Sequence, residues 1–243
     1  FFRYKQRIHQ MKIKFSVVIL SLLAVILCGC SLKTDPPIND KTKLFAFGTY
    51  QKSDKQYYIV EDNKRIVILN NIKKNDGIGK RFFVAGQAKK NTDNKGNDYW
   101  IMDADIMEES HIHKISIVDS ASIDEFGKAG IYFEQGIGNK NIYFSGKYLN
   151  FIYSIYATNN SEHTFSYMIT RDKKEVSNNK FTLYIRHKEY NDVANEAKTP
   201  RKIYSSLDMS EILSRSNSRR ITLIINTINL EGKKEEGVTE ITQ

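Results

Sequence analysis

Leu149-Asn150-Phe151-Ile152-Tyr153-Ser154-Ile155 decides the fold, because its large apolar side chains recur at every second position. Leu149, Phe151, Tyr153 and Ile155 point to one face, with Asn150 and Ser154 on the other. Successive side chains of a strand alternate between faces, so a period of two marks half-buried sheet. The period returns in Phe165, Tyr167 and Ile169, in Phe181, Leu183 and Ile185, and in Ile221, Leu223 and Ile225. Strands with one apolar face need a second apolar layer, and two such sheets face to face predict a β-sandwich over residues 115–232. Only Ser206–Ser214 has the composition of a helical turn, with Ser206 as its cap.

Upstream the chain also reads as strand after strand. Lys43–Tyr50, Gln56–Glu61, Arg65–Leu69, Arg81–Gln87 and Asp98–Met107 are short and rich in β-branched or aromatic residues. Turns such as Asp62-Asn63 and Asn94-Lys95-Gly96-Asn97 bound them. Short strands at this density predict a small OB-like Greek-key barrel over residues 43–114. The expected fold class is therefore all-β, an N-terminal barrel followed by a C-terminal sandwich. The boundary is placed between Glu109 and Asp119, and residues 233–243 read as a polar tail.

The first thirty residues are set apart from the fold. From Met11, read as the start, a basic Met-Lys-Ile-Lys leads into the apolar run Phe15–Leu27 and then Cys28-Gly29-Cys30. The run is shorter than the ~20 residues that span a bilayer. Its ending, Leu27-Cys28-Gly29-Cys30, resembles the lipobox of bacterial lipoproteins, which implies lipidation of the Cys30 thiol and removal of residues 1–29. Residues 30–42, with Pro36 and Pro37, then form an extended tether. Ser31 in place of an aspartate points to the outer membrane, on its periplasmic face.

Leader removal changes the chemistry on offer. Arg3, Lys5, Arg7, Lys12 and Lys14 all lie in the leader, which has no acid, so the net charge of +9 falls to +4. Nucleic acid loses most of its electrostatic support as a partner. Cys28 departs and Cys30 is spent on lipid, which leaves no disulfide, thiolate metal site or cysteine nucleophile.

Several clusters invite a functional reading. His111-x-His113 puts two imidazoles on one strand face, but zinc needs three or four ligands and only His163 and His187 remain in the expected mature chain. Asp93–Asp98 is rich in oxygen ligands, yet Lys95 stands where a calcium loop needs an acid or Asn, and a hairpin turn explains it better. Asp103 and Asp105 share a strand face as paired carboxylates would. Gly77-Ile78-Gly79-Lys80 lacks both the earlier glycine and the hydroxyl of a phosphate loop. Phe47, Tyr58, Phe83, Tyr99 and Trp100 form either a glycan-stacking face or the filling of a small barrel. No catalytic residue or cofactor is expected.

The ordered pieces resemble the NigD-like lipoproteins of bacteria. The resemblance rests on Ile142-Tyr143-Phe144-Ser145-Gly146-Lys147-Tyr148-Leu149-Asn150 and on Phe181-Thr182-Leu183-Tyr184-Ile185-Arg186-His187 followed by Tyr190-Asn191-Asp192. Tyr58-Ile59-Val60-Glu61-Asp62 and Gly79-Lys80-Arg81-Phe82-Phe83-Val84 match more loosely, so the N-terminal half departs most. The resemblance implies an OB-type domain, a β-sandwich and, from a bacteriocin operon, an immunity role; it carries over no catalytic residue. The resulting expectation is a non-catalytic binding lipoprotein of the cell envelope, anchored to a membrane. Its partner is a bacteriocin, or alternatively an envelope glycan; an envelope hydrolase ranks last.

Overall fold

A computed structural model describes residues 41–243 except 54–55, 139–140, 159–160, 171–178, 192–197, 217 and 243. The expected leader, Cys30 and the tether before Lys41 lie outside the described residues.

The chain is all-β, as its alternation predicts. Strands β1 (Thr42–Lys52), β2 (Tyr57–Glu61), β3 (Ile66–Leu69), β4 (Arg81–Thr92) and β5 (Asp98–Glu109) close a barrel in the order β1-β2-β3-β5-β4. All neighbours are antiparallel except β3 and β5, which run parallel. That order with that single parallel pair is the OB arrangement. Tyr50, Ile59, Val67, Val84 and Met102 fill the interior. Two glycines permit the tight coiling: a Cβ on Gly48 would sit 2.4 Å from the Val60 carbonyl oxygen, and one on Gly86 2.1 Å from that of Asp103.

The remaining strands are β6 (His111–Val118), β7 (Ile142–Ser145), β8 (Tyr148–Ala157), β9 (Glu162–Thr170), β10 (Lys180–Tyr190), β11 (Thr199–Asp208), β12 (Arg220–Ile228) and β13 (Lys234–Thr242). They form the two facing sheets of the expected sandwich, β13-β12-β10-β9-β6 and β6-β11-β8-β7, joined continuously because both contain β6. Its first half pairs with Ser205–Asp208 of β11 and its second half pairs with Tyr167–Thr170 of β9. A strand that changes partners midway folds one sheet into two facing layers. Between them Phe151, Tyr153 and Ile155 meet Tyr167, Leu183, Leu223 and Ile225, all fully or almost fully buried.

Three boundaries differ from the sequence expectation. β6 begins at His111, so a division at 114/115 cuts through a strand of the second sheet. Residues 233–243 are no tail, since β13 pairs with β12 from Lys234 to Thr242 and buries Thr239 and Ile241. Ser206 caps no helix, because it lies buried in β11. The helix α1 is Ser210–Arg215, and the Asp208 carboxylate accepts from the Ser210 N–H at 3.0 Å.

Barrel and sandwich meet through Phe47, Phe83 and Tyr204, the last two stacked with centroids 4.5 Å apart. Beside them Arg81, 4% exposed, reaches from β4 into the sandwich. Its guanidinium donates to both Asp62 carboxylate oxygens at 2.7 and 2.6 Å, to Ser206 Oγ at 2.6 Å and to Asn150 Oδ1 at 2.9 Å. It also lies over the Tyr148 ring, 4.3 Å from the centroid. Burying an arginine is tolerable only with such complete pairing.

Candidate functional site

The barrel carries an open groove of about 460 Å³ on the outer face of β2, β3 and β5. Parity places its floor. Tyr58 stands opposite Ile68, Ile68 opposite Ile101, and Ile66 opposite Tyr99, so two tyrosines flank three isoleucines. Ser53 and Gln56 from the β1–β2 connection, Asp93 and Asn97 from the β4–β5 connection and Asp98 at the start of β5 make a polar rim. This face and these two loops are where OB barrels hold extended ligands.

The rim is held rigidly by its own turn. Asp93 Oδ1 accepts from the backbone N–H groups of Lys95 and Asn97 at 2.8 Å each, and Oδ2 accepts from Asn97 Nδ2 at 2.9 Å. These bonds, the Asn97 amide first, hold the Asp93 carboxyl below its ordinary range. Asp98 is lowered too, by Lys90 first and then by Thr92 Oγ1 at 2.9 Å. Both acids are thus engaged within the protein. Gly96 supplies the positive φ of 83° that the turn demands, so Asp93–Asp98 is a hairpin turn. Among the described residues no group of three or more His, Cys, Asp or Glu is placed to hold a metal ion.

The aromatic residues singled out in the sequence separate. Tyr58 and Tyr99 line the groove, and the Tyr58 hydroxyl donates to Gln51 Oε1 at 3.2 Å. Trp100, next to Tyr99, points the opposite way and packs against the barrel core. Phe83 and Phe47, 5% and 4% exposed, are used in the joint with the sandwich. Of the two readings open for these aromatics, Phe83 and Trp100 follow the packing one and lie off the candidate stacking face. The groove residues that composition did not mark are Ile66, Ile68 and Ile101, whose only signal was their strand parity with the tyrosines.

The members of the acidic and histidine pairs meet different surroundings. A bulge sets Ala85 opposite Ile106 and Gly86 opposite Ala104, leaving Asp105 as the extra residue. Asp105 is exposed and lines a hollow with Phe45, Phe83 and Ile106. Asp103 is tied to Lys41 at 2.7 Å and accepts from Asn70 at 3.0 Å, which keeps its carboxyl below the usual range. His111 is exposed, 3.9 Å from Glu109. His113 instead tilts against Tyr167, centroids 4.7 Å apart, and burial lowers its pKa to about 4.

His163 and His187 find each other. They stand on the antiparallel strands β9 and β10, with His163 Nδ1 2.9 Å from His187 Nε2. Ser161 Oγ lies 2.9 Å from His163 Nε2, and His187 Nδ1 lies 3.2 Å from the Gly130 carbonyl oxygen. Phe165 stacks on the His187 ring at 4.9 Å. Burial, first among its causes, lowers His187 to a pKa of about 4. Sequence spacing gave no sign of this pair, because it depends on strand register.

Comparison with known proteins places this geometry among relatives. Residues 135–239 match the NigD-like C-terminal beta sandwich domain family. Crystal structures of three bacterial proteins share the fold over 83% of this chain. A candidate lipoprotein of Bacteroides fragilis aligns at a TM-score of 0.55 and 15% identity over 98% of its length. A NigD-like immunity protein of Bacteroides caccae aligns at 0.52 and 13% over 96%. A candidate toxin-related protein of Parabacteroides distasonis aligns at 0.53 and 16% over 94%. Comparison with curated proteins gives no match. No helix among the described residues is long and apolar enough to cross a membrane.

Proposed function

Starting from a NigD-like chain, we propose a lipid-anchored, non-catalytic binding protein of the cell envelope that acts as an immunity factor. Cys30 carries the lipid, and the outer membrane, on its periplasmic face, is its site. The barrel groove holds a segment of a peptide bacteriocin. The observation behind this assignment is the Tyr58–Tyr99 groove, with an isoleucine floor and a hydrogen-bonding rim. An amphipathic peptide buries its apolar side chains on such a floor while its backbone meets the rim. The Bacteroides caccae neighbour, described as an immunity protein, supports the role. Asp98 and Asp103, beside the groove and on its strand, are paired with Lys90 and Lys41, which supports binding over catalysis.

Deleting the gene raises sensitivity to the producer's bacteriocin. Wild-type protein restores resistance, and the Tyr58→Ala/Tyr99→Ala double variant does not. Unchanged sensitivity after deletion refutes the immunity role. A saccharide in the same groove is the second reading, favoured by the two tyrosine rings, each with an apolar face and a polar tip. It predicts that envelope glycan binds the purified protein and that Tyr58→Ala/Tyr99→Ala abolishes this binding.

A further inference from the structure

A second pocket, on the sandwich, is built differently from the barrel groove. It encloses about 460 Å³ between Ala129, Gly130, Tyr156, His187, Glu189, Lys198 and Leu230. That volume falls within the ~300–1,000 Å³ of small-molecule sites. Glu189 stands two residues beyond His187 on β10 and directly opposite His163 of β9, so strand register brings the three to one face.

We propose that this pocket binds a neutral sugar ring, with Glu189 accepting from a hydroxyl and Tyr156 stacking on the ring's C–H face. The proposal is independent of what the barrel holds. Its first support is an unused acceptor. The Glu189 side chain is 12% exposed; Oε2 takes Lys198 Nζ at 3.0 Å, while Oε1 is buried and has no hydrogen bond among the described residues. A buried carboxylate oxygen without a donor is costly, and a ligand hydroxyl removes that cost.

Charge then selects the ligand. Glu189 and Lys198 cancel across 3.0 Å, and they and His187 are the acidic and basic groups of the lining. His187, with a pKa of about 4, adds no charge near neutral pH. An anionic ligand therefore meets the carboxylate and a cationic one meets the ammonium, while a neutral ligand meets neither penalty. Both His187 ring nitrogens are already engaged, by His163 and by the Gly130 carbonyl, so the imidazole is a fixed wall. The remaining walls are apolar and open: Tyr156 is 43% and Leu230 46% exposed. A neutral molecule with hydroxyl donors on its rim and an apolar face is a pyranose.

The test is ligand-observed NMR and calorimetry on the intact chain with three probes. These are the neutral N-acetylglucosamine tetramer, the cationic glucosamine tetramer and the anionic galacturonate tetramer. The neutral probe binds, and the charged ones bind at least about tenfold more weakly, a difference of ~1.4 kcal/mol. Tyr156→Ala weakens the neutral probe about tenfold, whereas Tyr156→Phe keeps its binding, which separates lost stacking from lost folding. Glu189→Gln weakens it several-fold. Tyr99→Ala, in the barrel groove, leaves it unchanged. Absence of neutral binding, equal binding of all three probes, or loss on Tyr99→Ala with none on Tyr156→Ala overturns the assignment; the last outcome moves the sugar to the barrel.

Discussion

Arg81 is the place where one substitution should uncouple the two halves of the body. Replacing it with Met keeps most of the volume and removes the charge. Four side-chain hydrogen bonds disappear, two of them to an Asp62 carboxylate whose side chain is 11% exposed. Four bonds to a charged group, summed at ~1.5–3 kcal/mol each, would overshoot, because such contacts share one desolvation cost. Removing one partner of a buried pair costs about 3–5 kcal/mol. For a domain of this size that lowers Tm by roughly 10 °C. Arg81→Lys keeps the charge but loses the fork geometry and should cost about half as much. The assay is urea unfolding followed by two signals. Trp100, the single tryptophan, sits in the barrel and reports on it alone, while far-ultraviolet circular dichroism reports both sheets. In the wild type the two curves coincide; in Arg81→Met the tryptophan curve moves to lower urea first. Asp62→Asn added to Arg81→Met costs less than the separate losses, because the stranded carboxylate is gone. A loss under about 1 kcal/mol with coincident curves would refute the role given to Arg81.

Three other outcomes follow from particular residues. Gly86→Ala destabilises by about 2 kcal/mol or more in thermal unfolding, since its Cβ would lie 2.1 Å from the Asp103 carbonyl oxygen, and an unchanged Tm contradicts that packing. His113 and His187, both with a pKa of about 4 in the fold, take up protons near pH 6.5 once unfolded. Their stabilisation is complete above about pH 6.5 and is lost as pH falls toward 4, by up to roughly 3 kcal/mol for His187; urea midpoints that stay flat across that window exclude it. Cys30→Ala abolishes incorporation of labelled fatty acid, and retained labelling removes the proposed anchor.

Much of the fold was legible because alternation is a local signal. The residues placed on one face at 149–155, 181–185 and 221–225 are all buried in the sandwich core. Three kinds of information were not local. β13 reads as polar because it is an edge strand, with Lys234, Glu236, Val238 and Glu240 facing outward and only Thr239 and Ile241 inward. The partner change within β6 depends on residues 205–208, far along the chain. The bulge at Asp105 shifts the register of β5 against β4, which no local alternation announces. The candidate site was half legible for the same reason. Tyr99 and Trp100 are neighbours of equal promise by composition, and only strand parity sends one outward and one inward. Arg81, Asp62, Asn150 and Ser206 gave no signal at all, since each is an ordinary polar residue until the fold gathers them.

The double allegiance of β6 also dictates an order of assembly. The barrel strands end at Glu109, so their pairing needs no later residue, although Arg81 and Phe83 still await Asn150, Tyr204 and Ser206. His111–Lys114 must then wait for residues 205–208, and β10 for its parallel neighbour in residues 222–226. Parallel pairings across such long spans are slow to form and leave sticky strands uncovered in the interval. A chain stalled or clipped before Ser205 would thus join a barrel with its joint incomplete to an unclosed, aggregation-prone remainder, making residues 205–226 the gatekeepers of a well-folded product.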